Sequence, residues 1–217
     1  MKYLIALLAI ATAGLQAAAP PVDWNSETIH CGNLVYGKNQ TSICFAETFL
    51  AEAAKETGLK IEPKFARVQL GQDEVFNTPL CIFTGEGDFV LKDSERSNLR
   101  KYLENGGFIL ASPGCSNAQW NTAFRRETAL ALPGYEMKQI PMEHEIFSTV
   151  HKISSVIVKG KTTYLNGLFI NGRLAMVYSP EGLNNASNAK GCCCCGGAEI
   201  TDPIKVNVNA VAYALLH

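Results

Sequence analysis

Two short apolar segments on either side of one amphipathic helix constrain the fold of this chain more than any other feature. Leu80–Phe83 and Phe108–Ala111 are continuous apolar runs, which are typical of strands covered on both faces of a sheet. Between them, the residues from Asp93 to Asn105 place apolar side chains at helical spacing, and a glycine pair follows. A strand, a helix and a second strand in this order predict a parallel sheet with helices on both faces.

Three further helices are predicted from capping residues and apolar spacing. One begins at a Ser42 cap and runs to about Thr57, where Gly58 ends it. Another covers residues 120–130. A closing helix begins at Pro203, since proline is favoured in the first turn of a helix.

The sequence also predicts one hairpin, over residues 168–177. Asn171-Gly172 separates two apolar runs there, and this dipeptide favours the tight turn that joins two antiparallel strands. The predicted fold is therefore an α/β three-layer sandwich. Its sheet is mainly parallel, with helices on both faces and an antiparallel hairpin addition.

The start of the chain has the pattern of a secretory signal peptide. A lysine precedes an apolar run over residues 3–15, and small residues follow at 17–19. The run is shorter than the roughly 20 apolar residues of a membrane-spanning helix. We expect a signal peptide over residues 1–19, a mature chain that begins between residues 18 and 20, and a single α/β domain over residues 20–217. The expected location is periplasmic or secreted, with no membrane anchor after cleavage.

The charge of the chain argues against a nucleic-acid partner. The formal net charge is −1, and no run of basic residues is longer than a pair such as Arg125-Arg126. Nucleic-acid-binding domains carry a basic stripe or patch, which this chain lacks.

Four stretches of the sequence together resemble the DUF4159 family, a bacterial domain family of unknown function. They are LCIFTGEGDF (80–89), LRKYLENGGFILA (99–111), AFRRE (123–127) and VNVNAVAYAL (206–215). The resemblance spans almost the whole mature chain and implies a fold similar to class I glutamine amidotransferase-like domains, which is flavodoxin-like. It brings no established catalytic residues. Many members carry histidine where this chain has Glu86, and fewer cysteines at its cysteine run.

That run holds half of the eight cysteines and is the first candidate site. It lies between glycines, which favour an irregular loop, and consists of Cys192, Cys193, Cys194 and Cys195. Its C-x-C and C-x-x-C spacings suit thiolate binding of Zn, Cu(I) or an iron–sulfur unit. The alternatives are one or two disulfides that close a flexible loop, which an oxidising compartment favours, and unpaired thiols. Cys81 lies in a predicted buried strand and is assigned to the core. The seven others are an odd number, so a pure disulfide framework leaves one thiol free.

Two loops are predicted at the edge of the sheet where ligands of parallel sheets bind, beyond the carboxyl ends of the strands. The loop after the first buried strand carries Glu86 and Asp88, which can bind a cation, although turn carboxylates are more often solvated. The loop after the second carries Cys115, close to the start of a helix. We expect Cys115 and at least two cysteines of the run to meet at this edge.

Three functions are consistent with these residues. The first is an exported domain whose thiolate-based metal or redox site is built on the cysteine run with Cys115, with Cys31 and Cys44 as further candidates. The second is a non-catalytic ligand-binding or envelope-assembly module with an envelope protein as partner.

The third function is cysteine-dependent amide hydrolysis. Cys115 would be the nucleophile and His144 or His151 its base, with Glu86 as a further catalytic candidate. Against this, a nucleophile on a sharp turn follows its strand directly, whereas Cys115 lies four residues beyond Ala111.

Overall fold

The computed structural model describes residues 22–24, 26–38, 41–192 and 197–217, so the predicted signal peptide lies outside the described residues. In this part of the chain the strands are β1 Gly32–Val35, β2 Ala66–Gln69, β3 Leu80–Phe83, β4 Phe108–Ala111, β5 Met137–Gln139, β6 Val156–Val158, β7 Lys161–Thr163, β8 Asn166–Ile170 and β9 Arg173–Tyr178. The α-helices are α1 Thr48–Thr57, α2 Asp93–Glu104, α3 Ala118–Ala131 and α4 Pro203–Leu216.

Seven of these strands form one sheet in the order β2-β1-β3-β4-β9-β8-β5. The pairs from β2 to β9 are parallel, whereas β8 pairs antiparallel with β9 and with β5. Strands β6 and β7 form a separate antiparallel pair. The sheet is thus mainly parallel with an antiparallel addition, as predicted.

Two apolar clusters, one on each face of the sheet, form the core. Helices α1 and α4 pack together on one face, where Phe49, Leu50 and Val211 are buried against Ile82 and Leu110 of the sheet. On the other face α2 and α3 cover β3, β4 and β9. Every residue of β3 and β4 is buried, which explains their uninterrupted apolar sequences. The predicted three-layer α/β sandwich is confirmed.

The predicted hairpin is also confirmed. Ile170 of β8 pairs with Arg173 of β9, so the turn consists of Asn171 and Gly172. Both turn residues have positive φ, 50° and 83°, as a type I′ turn requires.

Helix α1 begins later than predicted. Ser42 does not cap it: its hydroxyl accepts a hydrogen bond from the backbone N–H of Cys44 at 3.0 Å, inside an irregular loop. The N–H of Ala46 donates to Asn184 O at 2.8 Å, and the helix starts only at Thr48. The prediction was wrong because these contacts with a distant segment hold residues 42–46 out of helical conformation.

The closing helix α4 is present as predicted, although its buried surface is wider. Every residue from Val206 to Ala214 is buried, including Asn207 and Asn209. In the described part of the chain, no helix is long and apolar enough to cross a membrane.

Candidate functional site

Four neighbouring parallel strands send their exit loops to one place at the carboxyl edge of the sheet. The loop after β1 carries Cys44, that after β3 carries Glu86, that after β4 carries Cys115, and that after β9 leads to Cys192. The chain turns from β1 towards β2 on one side and from β3 towards β4 on the other. Such a reversal of strand order opens a crevice at the carboxyl edge, which is where ligands of open α/β sheets bind.

Three sulfur atoms and one carboxylate meet in this crevice. Cys44 Sγ, Cys115 Sγ and a carboxylate oxygen of Glu86 all lie within 4.8 Å of one another. Cys44 also forms a disulfide with Cys192, which is 148 residues away in sequence. Their Cα atoms are 4.9 Å apart, within the usual disulfide range of about 4.4–6.8 Å. Cys44 is buried, Cys115 and Cys192 are half-buried, and Glu86 is exposed.

The backbone at Cys115 is in a conformation that L-residues rarely adopt. Cys115 has φ 48° and ψ 34°, and Ser116 also has a positive φ of 53°. Left-handed conformations at two successive non-glycine residues cost free energy, and they persist where surrounding contacts enforce them. Here the Ser116 hydroxyl lies 3.0 Å from Glu181 O and 2.8 Å from Ala198 O, both acceptors on the β9 exit segment. The thiol is therefore held in place by the same segment that leads to and from the cysteine run.

Glycines let the exit loops of β3 and β4 touch through their backbones. The N–H of Gly114 donates to Gly85 O at 2.7 Å. A Cβ on Gly114 would lie 2.9 Å from Glu86 Cγ, and one on Gly85 would lie 2.9 Å from Trp120 Nε1. A side chain at Gly114 would therefore displace Glu86, and one at Gly85 would clash with the buried Trp120.

Asn184 connects three of the segments that form the site. Its side chain is buried, accepts a hydrogen bond from Ser112 Oγ at 2.7 Å and donates one to Pro113 O at 2.7 Å. Its backbone carbonyl accepts from the N–H of Ala46 at 2.8 Å. Asn184 thereby fixes the loop of Cys44 against the loop of Cys115.

Gly197, which follows the cysteine run, packs closely against the Cys115 loop. At the far end of the run, a Cβ on Gly197 would lie 2.6 Å from the carbonyl carbon of Cys115 and 2.8 Å from its Cα. Of the run itself, Cys192 is bonded to Cys44, whereas Cys193, Cys194 and Cys195 lie outside the described residues. The meeting of Cys115 with at least two cysteines of the run stays a prediction.

Cys31 and Cys81 lie away from the site. Cys31 precedes β1 at the opposite edge of the sheet and Cys81 lies within β3, and both are fully buried. Burial raises the pKa of Cys31 to about 12 and that of Cys81 to about 11, so both remain protonated thiols at neutral pH. Cys81 is thus a core residue, as assigned from the sequence. Asp88 forms an ion pair with Arg126 at 3.1 Å.

The structure does not bring His144 to Cys115. The His144 ring lies 5.7 Å from the ring of Tyr213, whose hydroxyl accepts from the N–H of Leu174 near the start of β9. Cys115 follows the carboxyl end of β4, which runs parallel to β9, so the two side chains lie towards opposite edges of the sheet. Burial lowers the pKa of His144, and its Nδ1 already accepts a backbone N–H.

His151 lines a separate cleft with Glu52 and the start of α4. Its backbone N–H donates to Asn209 Oδ1 at 2.7 Å and its carbonyl accepts from Asn209 Nδ2 at 2.8 Å. The backbone of this histidine is therefore fixed by α4, and no cysteine of the described residues lines its cleft.

Sequence reasoning missed the partner of Cys192 and the residues that position it. Cys44 was considered only as an extra ligand inside a predicted helix, and Asn184 lay in a polar stretch interpreted as loop. A signal was present, since three asparagines stand between the β9 strand and the cysteine run. Which asparagine is buried depends on contacts with Ser112 and Pro113, about 70 residues away along the chain.

Comparison with known proteins adds the family of this chain. No curated protein sequence matches it. The family model described as Domain of unknown function (DUF4159) matches residues 33–215, a range that includes every residue of the site described above. The chain therefore belongs to the DUF4159 family.

Proposed function

We propose that this protein is an exported thiol–disulfide redox domain in which Cys44 exchanges its disulfide partner between Cys192 and Cys115. One observation carries the proposal. Cys44 Sγ is bonded to Cys192 and lies within 4.8 Å of Cys115 Sγ, so a thiol stands beside a disulfide. Thiol–disulfide exchange requires this arrangement, since a thiolate must reach one sulfur of the existing bond.

The exchange conserves electrons and needs no external oxidant. The Cys115 thiol gives up its proton, and its sulfur attacks Cys44 Sγ. The Cys44–Cys115 bond forms as the Cys44–Cys192 bond breaks, and Cys192 leaves as a thiolate that takes up one proton. Cys44 is buried and shared by both disulfides, whereas Cys192 is half-buried in the glycine-bracketed run. The reaction therefore releases a reactive thiol at the accessible end of the site.

Two further features support this proposal. Disulfides persist in oxidising compartments, which agrees with the export expected from the N-terminal sequence. The parallel strands follow the order 2-1-3-4-5, with β9 fifth, which is the flavodoxin-like order. This order supports the implied likeness to class I glutamine amidotransferase-like domains, without assigning their chemistry.

Disulfide mapping of the mature protein tests the exchange. The protein is reduced, equilibrated in glutathione buffers of defined potential, trapped with acid and alkylating reagent, and mapped by mass spectrometry. We expect both Cys44–Cys192 and Cys44–Cys115 species, and a reduction potential above the roughly −300 mV that marks structural disulfides. Cys115→Ser should abolish the second species, whereas the buried control Cys81→Ser should leave both. The proposal would be refuted if Cys115 never pairs with Cys44 and the reduction potential of the Cys44–Cys192 disulfide lies below that limit.

A second candidate function, metal binding, is favoured by the position of Glu86. The sulfur atoms of Cys44 and Cys115 and a Glu86 carboxylate oxygen lie within 4.8 Å of one another, and in the reduced protein the Cys192 thiolate, released from Cys44, is the candidate for a fourth donor. Four donors of this kind suit Zn²⁺, which takes tetrahedral sets of thiolate, imidazole and carboxylate ligands. Cu(I) prefers the sulfur donors alone. Disulfide formation would release the metal, because it consumes two of the ligands.

Zinc content of the reduced and oxidised protein tests this candidate. We expect about one Zn²⁺ per reduced chain, lost on oxidation, and at least tenfold weaker binding in Glu86→Gln. The matched control is Asp88→Asn, two residues away, because the Asp88 carboxylate pairs with Arg126 instead. Equal zinc affinity in Glu86→Gln and Asp88→Asn would exclude Glu86 as a ligand.

Hydrolysis by Cys115 receives less support from the structure, because His144 lies towards the other edge of the sheet. A non-catalytic envelope-assembly role remains a proposal, and it would be favoured if the redox measurements find no disulfide exchange. Such a module needs no exchangeable disulfide.

A further inference from the structure

A cleft with a positively charged rim lies directly beside the Cys44–Cys192 disulfide. Its volume is about 530 Å³, and the cations at its rim are Lys64, Arg67 and Lys190. All three side chains are exposed, and none forms an ion pair with another described residue. This concentration of positive charge stands out on a chain whose formal net charge is −1.

The residues that line this cleft carry a net positive charge. Three cations and one carboxylate, Glu47, give a net charge of +2, and Glu47 Oε1 is held by the N–H of Phe65 at 3.0 Å. Apolar surface is also present, from Phe45, Phe65 and Ile43, the last of which is 63% exposed. Cations around an apolar floor suit a peptide with acidic side chains better than a simple anion.

The chain itself connects this cleft to the disulfide. Ile43 immediately precedes Cys44, and Lys190 is two residues before Cys192. The two segments touch, because a Cβ on Gly191 would lie 3.4 Å from Ile43 Cδ1. The cleft is therefore lined by sequence neighbours of both cysteines, which brings a bound segment close to the disulfide.

We infer that this cleft binds an acidic, cysteine-bearing segment of a partner protein and presents its thiols to the Cys44–Cys192 disulfide. This inference rests on the proposed redox function and names its substrate class, a dithiol protein. The first partner thiolate attacks Cys192 Sγ, the more accessible sulfur, and Cys44 leaves as a thiolate that takes up a proton. The second partner thiol then attacks the mixed disulfide and releases Cys192 as a thiol. The partner loses two electrons and two protons, and the Cys44–Cys192 pair gains them.

Single-turnover reduction of the oxidised mature protein tests the inference. The probes are two synthetic peptides with the same Cys-x-x-Cys centre, one flanked by Asp and Glu and the other by Lys, and the uncharged reagent dithiothreitol. Quenching with a maleimide that adds mass gives the rate of disulfide loss. At low salt we expect the acidic peptide to react at least tenfold faster than the basic one, with the ratio collapsing in 0.5 M NaCl, since steering by surface charge is screened by salt.

Two triple variants locate the effect. Lys64→Glu/Arg67→Glu/Lys190→Glu reverses the charge of the cleft and should bring the peptide ratio to one or below. The control reverses three exposed lysines remote from it, on α2, β5 and β7: Lys101→Glu/Lys138→Glu/Lys161→Glu. This control variant changes the net charge by the same amount as the cleft variant, and it should keep most of the preference for the acidic peptide.

Dithiothreitol separates the failure of this inference from failure of the redox proposal. If native protein is reduced by dithiothreitol but shows no preference for the acidic peptide, or if the cleft variant keeps the preference, the docking inference is wrong while the redox function stands. If dithiothreitol reduces the disulfide only after the protein is unfolded, the redox function itself fails, and the docking inference fails with it.

Discussion

Replacing Asn184 by alanine tests whether one buried amide holds the site together. The substitution removes two hydrogen bonds, from Ser112 Oγ and to Pro113 O, both 2.7 Å long and both buried. A hydrogen bond contributes about 0.5–1.5 kcal/mol net, and a buried polar group left without a partner costs about 1–3 kcal/mol. Ser112 Oγ still accepts from the N–H of Leu183, but its own O–H loses its acceptor and Pro113 O loses its donor. We expect the free energy of unfolding to fall by about 2–4 kcal/mol.

Urea denaturation followed by tryptophan fluorescence measures this change, because Trp120 is fully buried. With a slope of about 2 kcal/mol per M, the expected loss moves the midpoint down by about 1–2 M. The control is Asn188→Ala, the same substitution four residues later, where the side chain is exposed and donates to Asn185 Oδ1. Its effect should stay within about 0.5 kcal/mol.

Asn184→Asp sharpens the test because it keeps the acceptor for Ser112 but places a carboxylate oxygen against Pro113 O. We expect Asn184→Asp to be at least as destabilising as the alanine variant, since it buries a negative charge and sets one of its oxygens against the carbonyl oxygen of Pro113. If Asn184→Ala costs no more than Asn188→Ala, or if Asn184→Asp is neutral, Asn184 does not hold the loops as we reason.

Three further predictions concern stability. Reducing the Cys44–Cys192 disulfide should lower the free energy of unfolding by about 2–4 kcal/mol, because the bond closes a very long loop, and urea midpoints with and without reductant measure the loss. Gly197→Ala should cost about 1–3 kcal/mol, since its Cβ would meet backbone atoms 2.6 Å away, whereas the control Gly71→Ala, with its nearest neighbours at 3.4 Å, should be close to neutral. Burial opposes ionisation of Glu127, but hydrogen bonds from two arginines outweigh it and hold the pKa of this carboxyl below its usual value. The stabilisation it gives should therefore be present above about pH 4.5 and be lost as the pH falls further, and Glu127→Gln should flatten the dependence of the urea midpoint on pH over this range.

Local sequence patterns were sufficient where the physical cause is itself local. The continuous apolar runs of β3 and β4 predicted buried central strands, because a strand covered on both faces needs apolar side chains on both. The Asn171-Gly172 turn was predicted because both residues tolerate positive φ. Helix α1 shows where this reasoning ends. Its C-terminal stop at Gly58 was predicted correctly. Its start was predicted too early, because contacts with Asn184 and Cys192 hold the residues before Thr48 out of the helix.

The sequence by itself determined the layered α/β fold, the cysteine run and the exit loops that carry Cys115 and Glu86. The tertiary structure alone decided that Cys44 is the partner of Cys192 and lies beside Cys115. The physical reason is the order of the strands: β1, β3, β4 and β9 are far apart in sequence but adjacent in the sheet, so their exit loops meet at one edge. Periodicity and spacing describe neighbours along the chain, whereas this site is made of neighbours across the sheet.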